Sequence, residues 1–209
     1  MECGNKDLGS GNAVVLFQKE QKLCLFVPPK NGTNTAMTFL KAANWKMVKP
    51  LGHILPEQAV EKWPNLTQYS YLMFVRNPLN RFVSTILFNK QRDSERFQHV
   101  LDTCGIQESV EACSYEQVID NFDHFKSTFG VLFFQQSRWA TLPNTEILDF
   151  DNYEAEIRRI SGNYTIPLVV KNKSTDFGRS VVTQKVIDFV RQEYAADYAL
   201  AKDRLGKEY

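Results

Sequence analysis

One local pattern occurs twice in this chain and restricts its fold more than any other feature. Leu23-Cys-Leu-Phe-Val27 is an uninterrupted apolar run. It is followed by the polar string Pro28-Pro-Lys-Asn-Gly-Thr-Asn-Thr35, and then by Ala36, Met37, Phe39, Leu40 and Ala43 at helical spacing, with Thr33 or Asn34 available as a cap. Tyr71-Leu-Met-Phe-Val75 repeats the unit: it ends in Arg76-Asn77-Pro78, after which Leu79, Phe82, Val83, Ile86 and Leu87 trace one helix face. Short apolar runs without alternation read as strands buried on both faces. Such strands need helices above and below them, and successive strand-to-helix units place their strands in parallel. Glu146-Ile-Leu-Asp-Phe150 supplies a third strand, with a short helix expected over 152–161. The predicted class is therefore α/β, with a mainly parallel central sheet flanked by helices in three layers.

The remaining segments fit around this sheet. Helix is expected over 115–128 and 131–140, and one long final helix from Thr183, where Val186, Ile187, Val190, Tyr194 and Tyr198 recur at helical steps. The aromatic groups 129–134 and 194–198 read as core, and Trp45, Trp63 and Trp139 as packing residues, with the lining of an acceptor or adenine pocket as their alternative role. Residues 1–12 read as a frayed end, and 89–114 as an exposed, mobile excursion, within which Gln91-Arg-Asp-Ser-Glu-Arg96 is a solvated charged face. No repeat, low-complexity tract or linker interrupts the 209 residues, a length that suits one domain over residues 1–209.

Charge and composition exclude several classes of function. Lys and Arg number 25 against 24 Asp and Glu, a net of 25 − 24 = +1, which gives no general field for a nucleic-acid backbone. No apolar run reaches the roughly 18 residues of a membrane span, and the first ten residues lack the pattern of a secretory signal. A cytoplasmic location follows as the expectation, so the strings Asn65-Leu-Thr67 and Asn163-Tyr-Thr165 read as chance matches to a glycosylation sequon. Cys3, Cys24, Cys104 and Cys113 lack paired zinc spacing. Cys104 and Cys113 could pair if oxidised, but free thiols are expected in a reducing compartment. Nothing in the sequence sets an oligomeric state.

With no general field, an anion site has to be local. In an α/β sheet ligands bind beyond the carboxyl ends of the strands, where both polar turns fall. The first has the parts of an anion cradle: Gly32 for close backbone approach, Thr33 and Thr35 as hydroxyl donors, Asn31 and Asn34 beside them, a helix N-terminus, and the mobile charge of Lys30. It is not the Walker A string GxxxxGK[ST], because Lys30 precedes the only glycine. The second turn places Arg76 at a strand end, with Arg81 and Ser84 on nearly one face of the next helix. Two such turns on neighbouring strands suit one ligand with two separate anionic groups.

The pair PPKNGTNT and FVRNPLNRFVS resembles the 5′-phosphosulfate loop and the 3′-phosphate motif of sulfotransferases that use 3′-phosphoadenosine 5′-phosphosulfate (PAPS), and is most similar to the carbohydrate branch. Weaker echoes are Phe134-Gln-Gln-Ser137, Ile147-Leu-Asp-Phe150, Asn172-Lys-Ser174 and Tyr194-Ala-Ala-Asp-Tyr198, so the resemblance spans roughly residues 22–200. Asn31 and Asn34 depart from the Thr and Ser more usual there, and the membrane anchor of the Golgi members is missing, which points to a soluble version.

The resemblance implies a P-loop-like fold and a set of roles. Lys30 would touch the 5′-phosphate and the bridging oxygen that leaves. Asn31, Gly32, Thr33, Asn34 and Thr35 would form the cradle for the phosphosulfate, Arg76 and Ser84 would hold the 3′-phosphate, and Lys173 would close over the nucleotide. The sulfuryl group would pass in line to a hydroxyl or amine of a saccharide or small molecule, leaving the desulfated nucleotide (PAP) and needing no metal. His53 is the candidate base, with Glu57 as fallback; His124 reads as structural, and His99 lies in the excursion, where it could meet substrate. Two rival readings stand beside this one: a P-loop kinase-like phosphotransferase, and a non-catalytic nucleotide-binding module.

Overall fold

A computed structural model of the chain describes residues 14–48, 54–169 and 180–209. The strands are β1 (Val14–Gln18), β2 (Leu23–Val27), β3 (Lys46–Met47), β4 (Ser70–Val75) and β5 (Glu146–Asp149), in the sheet order β3-β1-β2-β4-β5. The helices are α1 (Thr33–Ala42), α2 (Pro56–Lys62), α3 (Pro78–Arg92), α4 (Ser94–Thr103), α5 (Tyr115–Asp120), α6 (Phe122–Phe129), α7 (Tyr153–Ser161), α8 (Gln184–Glu193) and α9 (Ala195–Leu205).

The sheet alternates inward residues as the two-residue period requires. Val15, Phe26, Met73 and Ile147 stand in register across four strands on one face; they pack with Ala59 of α2, Ala201 of α9 and Trp139. Leu16, Leu25 and Leu72 form the corresponding row on the other face, against Ala36, Phe39 and Leu40 of α1 and Ile157 and Ile160 of α7. Full burial of one such side chain stabilises by about 1.5–3 kcal/mol. A second body of core lies off the sheet, where α3, α4, α5, α6 and α8 bury Phe82, Phe97, Tyr115, Phe125 and Val190 together.

The expected strands over 23–27, 71–75 and 146–150 are present as β2, β4 and β5, and these three pair in parallel. The sheet as a whole is mixed, not mainly parallel. β1 pairs antiparallel with both β2 and β3, which gives two antiparallel pairings beside the two parallel ones. The cause is a hairpin: Val14-Val-Leu-Phe17 is itself a short apolar run, and Lys22, at φ 51, turns the chain straight back into β2.

The segment 89–114 also differs from the expectation. It contains the end of α3 and all of α4, and it buries Phe97, Val100, Leu101, Val110 and Cys113. The charged face of α4 masks an apolar stripe at i, i+3 and i+4. The expected helix over 115–128 breaks at Asn121 into α5 and α6, 131–140 forms two 3-10 turns, and the final helix breaks at Tyr194 into α8 and α9. Trp45 and Trp139 are core residues, and Cys24, Cys104 and Cys113 are free thiols. No helix among the described residues is long and apolar enough to cross a membrane. The frayed end expected over 1–12, together with Cys3, His53, Asn172, Lys173 and Ser174, lies outside the described residues.

Candidate functional site

The parallel pairing of β2 with β4 brings their two following turns side by side. The first turn departs from ordinary backbone. Lys30 sits at φ 68 and Gly32 at φ 76, both left-handed. For Lys30 that conformation costs about 1–2 kcal/mol, so the surroundings have to hold it. Arg76 does so by donating from Nη1 to the Lys30 carbonyl at 3.0 Å, and Arg81 by donating from Nε to the Pro29 carbonyl at 3.1 Å. Gly32 is required twice over: besides its φ, a β-carbon there would lie 2.8 Å from Cε2 of Tyr153. The Tyr153 hydroxyl donates to the Gly32 carbonyl at 3.0 Å and closes the turn from the α7 side.

Gly32 is the N-cap of α1 and makes no side-chain cap bond. Thr33, Asn34 and Thr35 form the first helical turn, the part of a helix whose positive end can face an anion. Thr33 and Thr35 are buried, and Asn34 is half-buried. The Thr33 hydroxyl donates to the Pro28 carbonyl at 3.5 Å, and Asn31 is committed to the protein more completely. It is fully buried, its Nδ2 donates to the Phe74 carbonyl at 2.7 Å and to Gln136 Oε1 at 2.6 Å, and its N–H donates to the Pro28 carbonyl at 3.2 Å. Asn31 therefore has no donor left for an anion and belongs to the scaffold. Its Oδ1 is buried without a hydrogen-bond partner.

The second turn is built differently. Asn77 caps α3 by accepting from the N–H of Asn80 at 3.0 Å, and Pro78 opens the helix. Arg81, Ser84, Thr85, Phe88 and Arg92 share one stripe of α3. The Lys30 ammonium rests 4.0 Å above the centre of the Phe88 ring, and the Arg76 guanidinium 5.1 Å from that of Phe150. Ser84 is buried on the same stripe.

Positive charge is concentrated here. Burial, and then the charges of Arg76, Arg81 and Arg92, push the Lys30 amine down to about 7. Burial and Arg81 bring Arg76 down to about 10, with Asp151 acting the opposite way. Arg81 is lowered chiefly by burial, while Asp197 and Tyr194 oppose the shift. A compact group of like charges in a partly buried setting opposes its own protonation, and a bound polyanion relieves that repulsion. The arrangement is thus suited to a ligand with more than one negative charge.

Besides Arg76 and Arg81, a third side chain joins the two turns, from behind. Gln136 accepts at Oε1 from the N–H of Arg76 at 3.0 Å as well as from Asn31, and donates from Nε2 to the Arg76 carbonyl at 2.8 Å. Asp197 holds the backbone behind it, accepting from the N–H groups of Gln136 and Ser137, each at 2.8 Å. The sequence assigns no site role to Gln136, Asp197 or Tyr153, although Gln136 and Asp197 fall in the weaker echoes Phe134–Ser137 and Tyr194–Tyr198. A further signal is the polar pair Gln135-Gln136 inside a segment otherwise rich in buried apolar residues, 129–139. The fallback base Glu57 is exposed in the first turn of α2; His99 is exposed on α4, and His124, expected to be structural, is exposed on α6. Among the described residues no three His, Cys, Asp or Glu side chains group closely enough to hold a metal ion. Comparison with family models, curated proteins and solved structures gives no match to this chain.

Proposed function

We propose that this chain is a sulfotransferase that moves a sulfuryl group from PAPS to an acceptor hydroxyl or amine and releases PAP, with β2, its turn and α1 acting as a P-loop-like cradle in a P-loop-like fold. The reading is carried by the contact of the two cation-bearing turns, Arg76 on the Lys30 carbonyl at 3.0 Å, at the carboxyl ends of adjacent parallel strands. A nucleotide with anionic groups on both sides of its ribose spans such a pair.

In this reading the first turn of α1, with Gly32, Thr33, Asn34 and Thr35, binds the 5′-phosphosulfate through backbone and hydroxyl donors. Lys30 stands where negative charge grows on the leaving phosphate oxygen, and a cation held there stabilises the transition state. Arg76 and Ser84 take the 3′-phosphate, and Lys173 closes over the nucleotide. His53 draws the proton from the acceptor, or Glu57 does so in its place. The acceptor is a saccharide or small molecule, and the transfer runs without a metal.

Thermal shift with PAP against ATP–Mg²⁺ tests the nucleotide. Stabilisation by PAP is expected; stabilisation by ATP–Mg²⁺ alone overturns the reading in favour of a phosphotransferase. Transfer of labelled sulfate from PAPS to a saccharide and small-molecule panel, with and without EDTA, tests the chemistry. PAP binding with no transfer to any acceptor favours a binding module.

A further inference from the structure

We infer that Gln136 is the positioning residue that sets the distance between the two anion-holding turns, so that a ligand with two anionic groups gains from both at once; this rests on the nucleotide reading above. Gln136 is fully buried, 60 residues from Arg76 and 105 from Asn31 in the chain, and its amide is used entirely on protein partners. Its planar amide pairs with both the N–H and the C=O of Arg76, as a neighbouring strand would, and so fixes the peptide from which the Arg76 side chain projects. The remaining acceptor position of the same Oε1 takes Asn31 Nδ2, which fixes the loop between Lys30 and Gly32. A single group thus references both turns to one point, and Asp197 ties that point to the start of α9.

The chemistry of the amide is specific. A donor and an acceptor are needed side by side, and a carboxylate supplies only acceptors. In Gln136→Glu an oxygen would face the Arg76 carbonyl at the 2.8 Å where Nε2 now donates. Gln136→Met keeps the length of the side chain and removes all three bonds.

The energetic consequence concerns the link between the sites, not either site alone. When one ligand engages two sites, its advantage over single-site ligands depends on the spacing between them. Disturbing that spacing removes the advantage while leaving each half-site able to bind its own anion.

Calorimetric titration of the full chain and of Gln136→Glu and Gln136→Met with three probes tests this: PAP, adenosine 5′-phosphate and adenosine 3′-phosphate. The expected result is that the preference for PAP over both monophosphates falls about 10-fold or more in each variant, with the monophosphate affinities little changed. Thermal melts accompany the titrations, and Gln136→Glu is the reporting variant if Gln136→Met does not fold. The wild-type preference retained in folded Gln136→Glu overturns the inference. So does a loss of all three ligands by the same factor, or a Gln136→Glu chain that does not fold, because either marks Gln136 as a purely structural residue. A wild-type chain that binds none of the three overturns the nucleotide reading itself, a separate result visible before any variant is made.

Discussion

The two turns at the site follow parallel strands of the same sheet, and both lead into helices, yet they satisfy their helix starts in opposite ways. α3 caps itself: Asn77 accepts from Asn80, and Pro78 occupies the position where a missing N–H does no harm. α1 opens on Gly32 without a side-chain cap, and its first turn follows two left-handed residues that are held from outside by Arg76, Arg81 and Tyr153. Beside the self-capped helix, the groups proposed to meet an anion are side chains, Arg76 just before it and Ser84 on it. An uncapped helix beside a lysine offers its backbone as well. The two turns therefore divide the work. On the proposed reading, the first is a backbone cradle held in a strained conformation, and the second is a stable helix start preceded by an arginine.

Four measurements break or sharpen that contrast. The largest effect is expected at Lys30: Lys30→Ala should lower kcat for sulfuryl transfer by about 10²–10³-fold, the cost of one lost transition-state donor, with a smaller change in PAP affinity. An affinity loss exceeding the loss of turnover contradicts the role. Gly32→Ala comes next. A left-handed alanine costs about 1–2 kcal/mol, and the collision with Tyr153 adds about 1–3 kcal/mol of overpacking, so denaturant unfolding should show a large loss together with weakened PAP binding. Asn77→Ala should remove about 1 kcal/mol of stability as a lost cap and leave binding of adenosine 5′-phosphate unchanged. If Asn77→Ala proves more damaging to that ligand than Gly32→Ala, the contrast between the turns is wrong.

The smallest effect is a proton. The amine of Lys30 lies at about 7 in the folded chain against an ordinary 10.5, so between those values the unfolded chain holds more protons. Its contribution to stability is therefore least favourable below about pH 7 and improves as pH rises through that window. Lys30→Met should flatten that rise in a series of melts. A bound anion raises the amine again, so PAP binding near pH 8 should take up part of a proton, read by calorimetry in buffers of different ionisation enthalpy. Proton release instead would show that the anion sits away from Lys30.

Local pattern carried much of this molecule. The apolar runs over 23–27, 71–75 and 146–150 are the three parallel strands, and the helix starts after Gly32 and Asn77 fall where polar strings meet helical spacing. Asn31 shows where local reading stops. Its place in a polar loop marks it as a ligand donor, yet its amide turns inward to Phe74 and Gln136. Sequence spacing cannot tell a loop side chain aimed at a ligand from one aimed at the protein. α4 was hidden for a related reason, since its charged face outweighs a narrow buried stripe.

Taken alone, the sequence determined the three parallel strands, the two helices that follow the polar turns, and which turns carry cations on a nearly neutral chain. Those properties follow from short-range periodicity and residue chemistry. Tertiary structure alone decided that Lys30 and Arg76 touch, that the β1 hairpin makes the sheet mixed, and that a glutamine 60 residues beyond Arg76 and an aspartate beyond that hold the turns in place. Hydrogen bonds between residues so distant in the chain leave no periodic trace; they form only once the sheet has brought their partners together.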